Sequence, residues 1–508
     1  MMVINNSGGL VSDFHHVPPV LNGSHCGGRT SIDDQEMMNG DISTSKPQHG
    51  DAPSAVAPTT THNGISTQHS LRDVLYSTDV YAKIWNVASQ ALDKSQPPVL
   101  YPEYTKPNGT RYVYREHDFW TSGFFPGCLY LLLERERKYK SQLQTAANGL
   151  VDKPHQMHLE FACKWWTVNL HQNASLSTTH DLGFMIFPWA QLAWELNHDV
   201  LALDTIVRAS RTLASRYVPQ IGAIRSWDTC ITKRYAFTDP KTDFLFIIDN
   251  MMNLNMLFWT ASELNDKELY RTALNHARKT QEFHIRDDFS TTHLIVLDPI
   301  TGSLKSRLTN QGFSDDSSWA RGQAWAIAGF AQTFQWTKDV SFLKTAQSCA
   351  DYFLGRLPAD GIPPWDFSAP KDTEQPPDTS AAVIAAYGLL LIHEAQVARG
   401  QQSDYFDQAI RLLKSVCSKY LNTPDKFVTT RCVIDTVESL SHDIAGKVSV
   451  KPDNTPETIL GGATINNYEF APRRWANHGL VYADYYFLLV GNKLLEMHGI
   501  ESIENVLV

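Results

Sequence analysis

No Cys-x-x-Cys pair occurs in this chain of 508 residues, and its seven cysteines, Cys26, Cys128, Cys163, Cys230, Cys349, Cys417 and Cys432, are odd in number and widely spaced. That pattern argues against a zinc site and against a disulfide framework. Basic charge is short as well: 44 Lys and Arg face 54 Asp and Glu, for a net charge of -10 at pH 7. A general nucleic-acid binder needs a basic surface for phosphate, so no nucleic-acid partner is expected. No apolar run reaches the ~18 uncharged residues that a membrane-spanning helix requires, and no membrane partner is expected either. The start, MMVINNSGGLVSDFHH, lacks a basic region followed by an apolar stretch. No signal peptide is therefore predicted, a cytoplasmic location is expected, and the sequons at Asn108 and Asn173 carry little weight. Signatures for dinucleotides (GxGxxG), phosphate loops (GxxxxGK[ST]), zinc peptidases (HExxH) and serine hydrolases (GxSxG) are all missing.

A hydrophobic share of 43% is ample for a large core. Residues 1–70 do not contribute to it. They are rich in Gly, Ser, Thr, Asn and His, bury too little to offset their ordering entropy, and read as a disordered extension. From about residue 75 apolar residues recur at three- and four-residue spacing, which predicts helices near 75–95, 120–140, 155–170, 178–195, 200–216, 248–264, 266–283, 318–335, 338–356, 378–396, 403–420 and 476–497. Ser317 and Ser318 are expected to cap the helix that begins at WARGQAW. The segments number twelve, and some are unusually apolar. Six inner and six outer helices alternating around a ring would explain both features. An open solenoid of helix pairs and two helical domains remain alternatives. The inserts 222–244, 285–317 and 421–470 would sit at helix ends as pocket loops.

Two acids stand out. Asp249 is the single carboxylate in FLFIIDNMMNLNMLFW, residues 244–259. A carboxylate in apolar surroundings is costly unless it is hydrogen-bonded or its pKa rises. It is either a helix N-cap braced by Asn250 and Asn253, or a general acid kept protonated near neutral pH. Asp181, in STTHDLGFMIFPWA, also heads an apolar helix and carries the same two readings, with His180 packing beside it. Glycan-cleaving enzymes commonly use two carboxylates, because one proton must arrive and one must leave. A third cluster is QGFSDDSSWARGQAWAIAGF. Arg321 and Trp325 lie four apart on one helix face, suited to a carboxylate and a sugar ring respectively. Gln311 and His293 lie on preceding loops. The bland reading of Arg321 is a salt bridge to Asp315 or Asp316. Trp120 and Phe124 in HDFWTSGFFPG, and Trp227 in GAIRSWD, supply further aromatic faces. These residues leave two readings open: a glycan-cleaving enzyme of the glycosidase kind, or a helical scaffold or sugar-binding protein that cleaves nothing.

WTSGF at 120–124, HDLGFM at 180–185, IIDNMMNL at 247–254, GFSDDSSWARGQAWAI at 312–327, DTSAAVIAAYGLL at 378–390 and ATINN followed by GLVYADYYF occur in that order. With these motifs the chain resembles the unsaturated glucuronyl hydrolases, glycoside hydrolase family 88, from about residue 75 to the C-terminus. The resemblance implies an all-α fold, an (α/α)6 barrel spanning 71–508 as a single catalytic domain, with the pocket at one end. It implies hydrolysis of unsaturated uronyl di- and oligosaccharides, which carry a 4,5-unsaturated uronic acid at the non-reducing end. It places the key acid on Asp249 and its partner on Asp181. Substrate contacts fall on Trp120, Phe124, Trp227, His293, Gln311, Arg321 and Trp325. No metal and no cofactor are expected, because protonation supplies the activation. The assembly is expected to be a monomer or homodimer. The related family 105, the unsaturated rhamnogalacturonyl hydrolases, shares the barrel and the reaction and is the nearest alternative.

Overall fold

The computed structural model describes residues 70–144, 153–370, 375–434, 443–451 and 454–505. The extension expected over residues 1–70 lies outside the described residues, Ser70 apart. Among the described residues twelve long helices follow one another: α1 (Thr78–Leu92), α2 (Phe124–Lys138), α3 (Gln156–Thr167), α4 (Leu182–Asn197), α5 (Val200–Ala214), α6 (Asn250–Leu264), α7 (Lys267–Phe283), α8 (Ala320–Thr337), α9 (Val340–Arg356), α10 (Thr379–Ala398), α11 (Tyr405–Tyr420) and α12 (Val481–Asn505). The even-numbered helices touch in sequence, α2 to α4, α4 to α6, and so on to α12, which packs back on α2. That closure makes an (α/α)6 barrel and removes the open-solenoid reading. The odd-numbered helices lie outside it.

The burial of each helix follows from its place. In α8 every residue from Ala320 to Phe334 is buried, because a ring encloses its inner helices on all sides. In α7 the buried residues are Leu269, Ala273, His276, Ala277 and Thr280, a single stripe at three- and four-residue spacing. Helix α10 is long and apolar enough by composition to cross a bilayer. It is an inner barrel helix, apolar because it is enclosed.

The inner helices bring their N-termini together at one end, where Gly123 meets Phe184, Gly183 meets Asn253, Gly322 meets Ile248, Arg321 meets Asp378 and Tyr482, and Trp120 meets Tyr482. Glycine makes two of the junctions possible. A Cβ on Gly123, just before α2, would lie 2.3 Å from the carbonyl oxygen of Phe184 in α4. A Cβ on Gly183 in α4 would lie 2.4 Å from Asn253 Oδ1 and 2.6 Å from its Cα in α6. The Phe184 N–H donates to that same Asn253 oxygen at 3.1 Å, so α4 and α6 are sewn together at near backbone contact. Gly183→Ala is expected to destabilise the protein by about 1–3 kcal/mol through overpacking. Thermal unfolding reads this directly, and an unchanged midpoint would show that the junction has slack.

Outer helices α5, α7 and α9 are capped by Asp199, Asp266 and Asp339, each accepting from N–H groups of the first turn. The expected serine cap of α8 is not found. Trp319 holds the N-cap position with no side-chain bond, and the Ser317 hydroxyl donates to Asp366 at 2.7 Å.

The loops hold strands that helical periodicity does not anticipate. Strands β1 (Leu100–Thr105) and β2 (Tyr112–Glu116) form one antiparallel pair. Strands β3 (Phe244–Ile247), β4 (Leu294–Leu297) and β5 (Leu304–Leu308) form an antiparallel sheet in that order. The β3–β4 register pairs Ile247 with Leu294, and the next rung is a bond from the Ile248 N–H to the His293 carbonyl at 3.1 Å. Asp249 and His293 are thereby placed side by side at the mouth of the barrel.

Candidate active site

Asp249 occupies the N-cap position of α6 but makes no side-chain capping bond. Asp181 occupies the N-cap position of α4 and makes none either. The capping explanation therefore fails for both, although the backbone position is the expected one. Their carboxylates turn elsewhere. Asp181 accepts from the Thr179 hydroxyl at 2.6 Å and lies 3.2 Å from His180 Nε2. Asp249 Oδ1 lies 3.6 Å from His293 Nε2 and has no hydrogen-bond partner within the protein. The Asp249 side chain keeps 13% of its surface exposed, so it is dry but reachable. Burial raises its pKa from 3.8 to about 7. Arg321 and a backbone hydrogen bond oppose the rise, the charge of Asp181 adds to it, and the Trp325 indole opposes it slightly. A carboxyl group with that pKa can carry a proton at neutral pH and also take one back.

Trp227 links the two acids. It bridges to Thr179 on the loop before Asp181 and to Leu245 in β3. Its ring stands edge-on to His180 at 6.5 Å and to His293 at 6.4 Å, and it is half-buried. Trp120 is also half-buried, packed against Phe184 at 5.6 Å and Tyr482 at 5.2 Å. Gln311 is half-buried beside the Ile465 carbonyl, its amide 3.4 Å away.

Three expected substrate contacts need correction. Phe124 and Trp325 are fully buried and offer no open face to a sugar. Phe124 begins α2 and sits beneath Trp120. Trp325 is one turn inside α8, wedged between Phe184 and Tyr486; what reaches Asp249 is the influence of its indole. Arg321 is not a free guanidinium. Its Nη1 donates to Asp378 Oδ2 at 2.7 Å and to the Thr464 carbonyl at 2.7 Å, and its Nη2 donates to the Ile465 carbonyl at 2.6 Å. The salt bridge foreseen as the bland reading exists, but to Asp378, since Asp315 pairs with Arg234. Arg321 thus fastens the 463–478 segment over the barrel mouth.

Trp319 and Asp378 escape a reading by residue type. Trp319 packs on His293 with ring centres 4.7 Å apart and lies under the Arg321 guanidinium. Both residues stand in the quoted motifs just before inner helices, and that position was the available signal. Buried polar atoms of Asp249, His293 and Trp319 have no hydrogen-bond partner in the protein. Such atoms are rare in folded proteins, and this concentration marks a site built for a polar ligand. Among the described residues no three His, Cys, Asp or Glu side chains converge as a metal site.

No protein-family model matches the chain. Curated proteins and solved structures do. An unsaturated glucuronyl hydrolase of Formosa agariphila is 33% identical over 307 residues, covering 59% of this chain and 68% of its own length. An unsaturated chondroitin disaccharide hydrolase of Streptococcus pyogenes is 29% identical over 384 residues, covering 76% of this chain and 82% of its own. The crystal structure of an unsaturated glucuronyl hydrolase specific for heparin superposes with a TM-score of 0.66 at 27% identity, covering 84% of this chain and 99% of that one. With sequence likeness at this level, over a barrel of the same build, the chain belongs to the unsaturated glucuronyl hydrolase family.

Proposed function

We propose that the protein removes the 4,5-unsaturated uronic acid from the non-reducing end of oligosaccharides released by polysaccharide lyases. The observation that carries this reading is the pair Asp249 and Asp181. Both head inner helices, neither caps its helix, and one has a pKa of about 7. The names of the relatives supply the substrate class.

The unsaturated ring is an enol ether, C4=C5–O. Asp249 donates its proton to C4, and positive charge develops at C5, shared with the ring oxygen. Water adds at C5 and returns a proton to the Asp249 carboxylate, so the acid is regenerated. The resulting hemiketal opens, releasing the next sugar and an open-chain keto acid. Asp181, which accepts from Thr179 and lies beside His180, supplies negative charge that keeps the proton on Asp249 and favours positive charge in the ring. Trp227 and Trp120 are the aromatic faces open to the sugar. The converging helix N-termini favour an anionic uronate at this end of the barrel.

A pH profile tests the acid role. Turnover requires protonated Asp249, so it should fall as pH rises through about 7, the value to which burial lifts this group. Loss of the ultraviolet absorbance of the conjugated enol ether follows the rate. A rate that climbs steadily with pH through that window would mean that Asp249 works only as a base.

A further inference from the structure

We infer that His293 is a positioning residue for Asp249, locked as the Nε2–H tautomer, and that Asp249 Oδ2 is the oxygen that transfers the proton; this rests on the proposed role of Asp249. The Asn310 backbone N–H donates to His293 Nδ1 at 3.0 Å. A nitrogen that accepts a hydrogen bond carries no proton, so the ring proton is on Nε2. Forming the imidazolium would set a second N–H against that of Asn310. The ring cannot turn away from this choice. Its backbone carbonyl is held by the Ile248 N–H at 3.1 Å, and its faces and edges are enclosed by Trp319 and Trp227.

The protonated Nε2 therefore lies 3.6 Å from Asp249 Oδ1. Both atoms are buried and neither has another partner in the protein. The contact is long for a hydrogen bond, as such contacts often are before substrate binds, and it tightens when the carboxyl loses its proton and becomes a better acceptor. Because Oδ1 is buried while the side chain retains exposure, the opening to substrate falls on the Oδ2 side. The proton leaves from Oδ2 to C4 and returns to Oδ2 from water. His293 keeps its own proton throughout. On this account His293 is closed to the sugar hydroxyls it was expected to bind.

The test compares His293→Leu, which removes the donor, with His293→Gln, whose amide N–H can stand near the place of Nε2–H. Both are assayed on an unsaturated disaccharide for kcat and KM across pH, beside the parent and Asp249→Asn. The other titratable and charged groups that act on Asp249 are Asp181 ahead of α4, Arg321 on α8 and Tyr482 on α12. They stay in place in both variants, so a shift reports His293. His293→Leu should lower kcat about 10-fold to 100-fold through misplacement of the acid. It should also move the fall in rate upward by about one pH unit, because a donor that favours the carboxylate is gone. KM should change little, and His293→Gln should recover part of both effects. A raised KM with an unmoved pH profile would make His293 a sugar ligand and overturn the inference. So would a glutamine variant no better than leucine. Nitrogen NMR of the parent, with His293 assigned by difference from the glutamine variant, gives a reading independent of leucine folding. Nδ1 should remain unprotonated from about pH 5 to pH 8, and a protonated Nδ1 would overturn the lock. If Asp249→Asn retains activity, the role of Asp249 itself falls. If only the His293 variants behave like the parent, the inference alone falls.

Discussion

Asp249→Asn should lower turnover by about 10² or more, the usual share of a general acid–base residue. The fold should survive. Asparagine is nearly isosteric, and no helix cap is lost because Asp249 makes no capping bond. Asp249 has a folded pKa of about 7 against 3.8 for an ordinary Asp. Between those values the folded state holds the proton more tightly than the unfolded state, so stability falls as pH rises through that window. Asparagine never ionises and escapes that loss. The variant should therefore melt no lower than the parent above pH 7, while turning over far more slowly. A lower melting point with near-normal turnover would make Asp249 a structural brace.

Arg321→Ala should act first on stability. Arg321 and Asp378 form a pair with side chains only 1% and 0% exposed. Removing the arginine leaves a buried carboxylate without its charge partner, which costs about 3–5 kcal/mol. It also releases the Thr464 and Ile465 carbonyls, so the 463–478 segment loses its fastening to α8. Weaker substrate binding would follow as a secondary effect of a loosened mouth. Denaturant unfolding separates the two. A stable variant with only KM raised would restore Arg321 as a reader of the uronate. Replacing both partners with apolar residues should recover much of the loss, because two matched charges are removed together.

The helices were legible because periodicity is local. A stripe such as Leu269, Ala273 and Ala277 needs only its own segment to be recognised, and enclosed helices such as α8 betray themselves by being apolar on every side. The two acids were legible for the same reason, as lone carboxylates ahead of apolar helices. What periodicity does not carry is pairing across the chain. The approach of His293 to Asp249 depends on β3 and β4 lying in register, and both strands are only four residues long. The partner of Arg321 is 57 residues away, whereas the nearby Asp315 is taken by Arg234. The aromatic residues divide on a similarly fine point. Trp120 precedes α2 and stays half-open, while Phe124, four residues on, has entered the ring and is sealed. Both side chains are aromatic, and their position relative to the helix start distinguishes them.

The most direct test of the central claim is the enol-ether absorbance of an unsaturated uronyl disaccharide, followed with the parent protein and with Asp249→Asn, beside cleavage of the matching saturated disaccharide. The account predicts loss of absorbance with the parent, almost none with Asp249→Asn, and no cleavage of the saturated sugar by either. Cleavage of the saturated sugar, with the double bond of the unsaturated one left intact, would contradict it and make this barrel an ordinary glycosidase.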